Sequence, residues 1–189
     1  KLSRSPARYD NQQLRHWQSI AMHSVLEEII DGGELSAKES QYAKQVKQYV
    51  DAKLGEESGL GELKLDTIQF IRTIKDNAWS LDDIDAWHGL IILANNPTTN
   101  LGVDGADKQF YLQVAQVIKN SPDGSIDQLR DAWKDLVKAI QQATGKKGKE
   151  LFLPLRMLLT GVDNGPPLDE LYALLGKEST LSNINKCAK

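Results

Sequence analysis

Apolar residues recur along this chain at helical spacing, with polar residues filling the positions between them. Tyr42, Val46, Tyr49 and Val50 stand at i, i+4, i+7 and i+8. Leu129, Trp133, Leu136, Val137 and Ile140 carry the same pattern on to i+11, and Leu171, Leu174 and Leu175 stand at i, i+3 and i+4. Each set lines one face of a helix. Start signals agree with them. Ser36 with Glu39 and Ser125 with Gln128 fit the capping box, in which the hydroxyl and the later side chain satisfy N–H groups that a helix start leaves open. Ser80 with Asp83 is a looser version of the same device. Pro166-Pro167 ahead of Leu168 suits a helix start, because proline has no N–H to leave unpaired there.

Turn residues break the pattern at Asp31-Gly32-Gly33, Gly55 to Gly61, Asn95 to Gly105, Ser121 to Gly124, Gly145 to Gly148 and Gly161 to Pro167. No stretch alternates apolar and polar residues over a strand length. The pattern therefore predicts an all-α fold, a helical bundle of about seven or eight helices. The loop from Asn95 to Gly102 is the best boundary, and it divides the chain into helical halves at roughly residues 1–97 and 104–189.

Composition narrows the class of protein. A length of 189 residues buries a good core as one domain or two small ones, and is too short for a multi-domain enzyme of several hundred residues. Hydrophobic residues make up 40% and charged residues 26%, a folded rather than a disordered composition. Cys187 is the single cysteine, so no disulfide can form within the chain and a reducing compartment is expected. The longest apolar patch, Leu90 to Ala94, is far too short to span a membrane. The chain opens on Lys1 with no apolar signal region, and is expected to be cut from something longer.

Few residues carry chemistry of their own. His16 and His23 lie seven apart without a second ligand at i+4, and His88 stands alone, so no metal site is expected. Asp82, Asp83 and Asp85 follow Ser80 at a helix start, where carboxylates favour the positive end of the helix dipole. Trp17, Trp79, Trp87 and Trp133 are expected to be core or half-buried packing residues rather than base-stacking platforms. Gly145-Lys146-Lys147-Gly148-Lys149 resembles a phosphate-binding loop only superficially, because Glu150 stands where the hydroxyl ligand should be.

Charge changes the picture more. The net charge of −3 argues against a generic nucleic-acid coat, yet it is unevenly spread. Lys134, Lys138, Lys146, Lys147, Lys149 and Arg156 against Asp135 and Glu150 make one segment of net +4. Lys1, Arg4, Arg8 and Arg15 against Asp10 make another of net +3. Two basic segments on an acidic body can form a footprint for a polyanion.

The basic segment also carries a resemblance. Gly145 to Gly161 reads G-K-K-G-K-E-L-F-L-P-L-R-M-L-L-T-G, followed by Gly165-Pro166 and then Leu174-Leu175-Gly176. This run resembles the C-terminal region of bacterial glutamate–tRNA ligases. Ser5-Pro6-Ala7-Arg8-Tyr9-Asp10 with Gln13-Leu14 is similar to the segment that leads into that family's helical anticodon-binding region. Trp79-Ser80-Leu81-Asp82-Asp83-Ile84 resembles a turn in the middle of it. Lys1-Leu2-Ser3-Arg4-Ser5 mimics the family's KMSKS-type ATP loop, but its immediate run into Pro6 argues against that assignment. No HIGH-type motif occurs.

The resemblance implies the two-part anticodon-binding region of a class I aminoacyl-tRNA synthetase. Its role would be to bind tRNA(Glu) for ATP-dependent glutamylation in protein biosynthesis. Catalysis, ATP and magnesium would belong to a catalytic domain outside this chain, leaving no catalytic residue, metal or cofactor here. A monomer in the cytoplasm is expected. The resemblance places Arg156 against an anticodon base, with Gly165, Pro166 and Leu168 forming the loop and helix start that pack on the bases. Lys146, Lys147 and Lys149 are the candidate phosphate contacts. Relatives that discriminate between glutamate and glutamine tRNAs check the third anticodon base with an arginine where this chain has Asn77, which makes tRNA(Gln) a second candidate partner. The rival expectation is a stand-alone helical protein-interaction domain derived from the ligase.

Overall fold

A computed structural model describes residues 11–32, 41–54, 67–95 and 108–187. Eight α-helices occupy the described residues, with no strand among them. They are α1 (Asn11–Ile30), α2 (Gln41–Leu54), α3 (Thr67–Ile74), α4 (Leu81–Asn95), α5 (Lys108–Asn120), α6 (Ile126–Thr144), α7 (Lys149–Thr160) and α8 (Leu168–Cys187). A 3₁₀ turn, Lys75–Asn77, follows α3. The fold is all-α, as the periodicity predicts.

The start signals are built as the sequence suggests. Ser125 Oγ accepts from the Gln128 N–H, and Gln128 Oε1 accepts from the Ser125 N–H at 2.8 Å, closing a full capping box on α6. At α4, Asp83 Oδ2 accepts from the Trp79 N–H and from Ser80 Oγ, both at 2.9 Å. Pro167 supplies the carbonyl that accepts from the Leu171 N–H at 3.0 Å as α8 begins. The predicted cap at Ser36 and Glu39 lies outside the described residues, as does the Ser5 to Asp10 motif.

One break was not predicted. Gly176 takes φ 77° and ψ 172° inside α8, so two helical segments meet at a kink. A left-handed φ excludes most side chains, which is why glycine stands there. Two neighbours steady the kink. Thr180 Oγ1 donates to the Gly176 carbonyl at 2.8 Å. Lys177 Nζ donates to the carbonyls of Lys119 and Ser121 at 3.0 and 2.6 Å, placing a cation on the negative end of α5.

Helix α8 lies at the centre and packs against α3, α4, α5, α6 and α7. Helices on both sides of the 96–107 segment bury their side chains in one connected cluster, from Met22 and Leu26 through Phe70 and Ile91 to Leu158, Tyr172 and Ile184. The Trp133 and Tyr172 rings meet at 5.4 Å between α6 and α8. Cys187 closes the far end of α8, and burial pushes its thiol pKa up.

Polar ties cross the same interfaces. Arg130 on α6 reaches Glu170 Oε1 on α8 at 2.7 Å, Asp127 Oδ1 at 2.6 Å and Gln69 Oε1 on α3 at 3.3 Å. Burial opposes its charge, but the bonds to Glu170 and Asp127 outweigh that and raise its pKa. Ser179 donates to Asn95 Oδ1 at 2.7 Å, joining α8 to α4. On the other side, His23 of α1 meets Asp76 at 2.9 Å, and Lys75 pairs with Glu27.

Ser125→Ala is expected to cost about 1 kcal/mol. For a chain of this size that is a fall in Tm of roughly 2–4 °C, readable by calorimetry. Arg130→Ala should cost more than the cap, because it leaves the largely buried Glu170 carboxylate without its cation.

Candidate nucleic-acid interface

The resemblance places the reading site where α7, the 161–167 loop and the start of α8 meet. Helix α7 runs through Pro154 without ending. Its first turn has no side-chain cap, so N–H groups at its positive end stay open to solvent or to an anion. Arg156 lies two turns further on, partly buried. Its Nη1 donates to the Pro166 carbonyl at 2.7 Å. That bond uses one of five guanidinium donors, and the fork keeps the rest for a ligand. Desolvation lowers the Arg156 pKa, and no charged neighbour contributes to the shift. Arginine stays protonated at neutral pH in spite of such a shift.

Thr160 ties the loop to the helix. Its Oγ1 donates to the Arg156 carbonyl at 3.2 Å and accepts from the Val162 N–H at 3.4 Å. Gly165 then takes φ 128° and lies close against the six-membered ring of the Trp87 indole. A Cβ there would fall 2.1 Å from Trp87 Cη2, so only glycine fits. Pro166 and Leu168 are buried as the chain enters α8. Any surface they offer a base is therefore narrow, and the Pro166 carbonyl is already taken by Arg156.

Asn77 joins this group from the other half of the chain. It ends the 3₁₀ turn, and its carbonyl accepts from Trp87 Nε1 at 3.1 Å. One indole thus touches Asn77 at one end and Gly165 at the other. Asn77, Gly165, Pro166 and Arg156, all singled out in the sequence, are brought together.

The lysines divide. Lys147 and Lys149 are exposed, and Lys149 stands seven residues before Arg156, on the same face of α7 and about 10 Å away along the axis. Lys146 lies back on the bundle, its Nζ 4.7 Å from the Phe110 ring centre. That cation–π contact competes with a phosphate role for Lys146. Lys138 is paired with Asp135 at 2.8 Å, which lowers the Asp135 pKa. The basic edge is therefore narrower than the sequence count. Of the other basic segment, Lys1, Arg4 and Arg8 lie outside the described residues, while Arg15 is exposed.

Two tryptophan expectations need correction. Trp17 is 65% exposed and Trp79 57% exposed. Trp17 points roughly opposite to the buried Leu26 on α1, because nine residues amount to two and a half helical turns. Trp79 sits in the turn ahead of α4, where Asp83 holds its N–H and the core does not reach its ring. Trp87 is buried as expected, but its place between two site segments was not foreseen. No spacing in the sequence signals a contact between α4 and the 161–167 loop. Among the described residues, no group of three His, Cys, Asp or Glu side chains could hold a metal. No helix of the described residues is long and apolar enough to cross a membrane.

Comparison with known proteins adds to the geometry. The family described as "Anticodon binding domain" matches residues 41–188. The chain is similar to glutamate–tRNA ligase 2 of Alkalilimnicola ehrlichii, 30% identical over 92% of this chain and 31% of the relative. It is 29% identical to glutamate–tRNA ligase 1 of Maricaulis maris over 97% of this chain and 33% of the relative. Over 60% of this chain it is 36% identical to glutamate–tRNA ligase 2 of Mesorhizobium japonicum. The chain thus spans about a third of the length of the first two relatives.

Gly165→Ala is expected to destabilise the fold by about 2 kcal/mol or more, since it adds a clash with a buried ring to an unfavourable φ. Urea unfolding followed by tryptophan fluorescence checks it. Gly145→Ala, with nothing within 4 Å of its Cβ, should cost less.

Proposed function

We propose, from the premise that this chain belongs to the anticodon-binding domain family, that it reads the anticodon of tRNA(Glu) for a glutamate–tRNA ligase. The observation that carries the reading is one connected corner: the Trp87 indole touches the Asn77 carbonyl and Gly165, and the next residue, Pro166, accepts from Arg156. Single-stranded RNA loops are recognised by splaying out bases and bonding their edges. Arg156 is suited to bonding a base edge, because it is charged, partly desolvated, held at one donor and open at the others. A planar fork of donors matches acceptor pairs on a base edge better than a point charge would. Exposed Lys149 on the same helix and Lys147 in the turn before it would meet the backbone, supplying affinity without sequence preference.

In this reading the chain is the non-catalytic part of the ligase, and ATP, magnesium and glutamate are handled outside it. It acts as a monomer in the cytoplasm, where translation uses its product. Asn77 replaces the discriminating arginine, so the parent enzyme also accepts tRNA(Gln). An amide offers fewer donors and no charge to a base, which weakens rejection of the wrong one.

Two measurements test these statements. Arg156→Ala should weaken binding of the cognate anticodon stem-loop by about 1–3 kcal/mol and spare a scrambled loop. Lys147→Ala should weaken both alike and flatten the salt slope by about 0.7–1. Equal loss for both loops with Arg156→Ala would contradict base reading, and salt-insensitive or absent tRNA binding would favour the protein-interaction alternative. For the parent enzyme, aminoacylation rates for the two tRNAs should lie within about a hundredfold of each other, a gap of under roughly 3 kcal/mol. A wider preference for tRNA(Glu) defeats the relaxed-specificity statement.

A further inference from the structure

We propose that Trp87 is a positioning residue that couples Asn77 to the Gly165–Pro166–Arg156 corner, so that the two ends read bases as one unit rather than independently. The inference rests on the anticodon-reading function proposed above and adds how its parts act together.

The geometry is a chain of contacts through one rigid side chain. Trp87 lies on α4 and is 8% exposed. Its Nε1 donates to the Asn77 carbonyl at 3.1 Å. Its Cη2, Cζ2 and Cζ3 atoms form the end of the six-membered ring, and they are what a Gly165 Cβ would strike. The next residue, Pro166, gives its carbonyl to Arg156 at 2.7 Å. An indole has no internal torsion, so the ring behaves as a strut between Asn77 and Gly165. If a base draws Arg156 or the 165–166 backbone away, the ring must follow or lose its contact. If the ring moves, the bond to Asn77 lengthens. A hydrogen bond of this kind is sharply directional, so small displacements register at the far end.

A ring that served only to fill the core would give a different result. It would hold each segment in place, and base changes at the two ends would then cost independent amounts. Coupling predicts that losing one base partly spoils the other site, so that changing both bases costs less than the two single costs combined.

The test uses the full chain and tRNA(Glu) transcripts with the third anticodon base changed, with one of the first two changed, and with both changed. In the wild-type protein the double change should cost at least threefold less in Kd than the product of the single penalties. In Trp87→Phe, which keeps a ring but loses the N–H, the penalties should multiply to within twofold. Additive penalties in the wild type, or the same non-additivity in Trp87→Phe, overturn the proposal. A second measurement needs no RNA and no change at Trp87. In the free protein, Arg156→Ala should shift the Trp87 indole N–H resonance, although Arg156 is linked to the indole only through Pro166 and Gly165. An unmoved resonance overturns the strut. If the wild type binds cognate and scrambled transcripts equally, the anticodon-reading function itself fails, and the coupled-reading proposal falls with it. That outcome differs from either of the others.

Discussion

A helix that is apolar nearly all round has to be enclosed, and the first segment of α8 is such a helix. Leu168, Leu171, Tyr172, Ala173, Leu174 and Leu175 are all buried, and only Asp169 and Glu170 keep a partial opening to solvent. Enclosure takes neighbours on every side, and α3 through α7 supply them. The remaining features follow from this demand. The kink at Gly176 lets the second segment turn and bury Ile184 and Cys187 against the same cluster. Lys177 at the kink caps α5, and Arg130 ties α6 and α3 to Glu170 at the entrance. These bonds pair some of the polar groups that enclosure removes from water, while Tyr172 Oη and Asn183 Nδ2 on α8 stay without a hydrogen-bond partner among the described residues.

The same enclosure positions the candidate site. For α8 to enter the core, the chain passes from the end of α7 across α4 at Trp87 and turns at Pro166-Pro167. Trp87 of α4 already occupies that space, so the passing residue must lack a side chain, and Gly165 does. Arg156 then finds the Pro166 carbonyl within reach and closes the corner. The site is thus a by-product of how the central helix is buried. That origin makes it rigid, and rigidity is what a base-reading group needs to hold its donors in place before a ligand arrives.

Electrostatics work on a smaller scale than net charge suggests. The net of −3 belongs to the whole chain, but a polyanion meets local surface. Over a Debye length of about 8–10 Å, exposed Lys147 and Lys149 outweigh Glu150 beside them, and acids farther off are screened. Pairing reduces the nominal basic segment, since Lys138 is held by Asp135 and Lys146 leans on Phe110. What remains is a narrow basic edge beside Arg156, suited to a few phosphates rather than to a long duplex.

Much of this was legible in the residues. Helical faces at 129–140 and 171–175, the capping box at Ser125 and the proline entry to α8 depend on neighbours within a turn or two, so periodicity and caps determine them alone. The run from Gly145 to Gly176 pointed to Arg156 and Gly165 only through its resemblance to a known family. The structure was needed for everything that depends on which helix faces meet. Nothing local shows that Trp17 and Trp79 turn outward while Trp87 turns inward, or that α8 breaks at Gly176 rather than running on. Nor does it show that Asn77 and Gly165 share one indole. The sequence determined the helices and the chemistry they carry, because those follow from short-range spacing. The tertiary structure alone decided their meeting at Trp87, because that depends on the space left between packed helices.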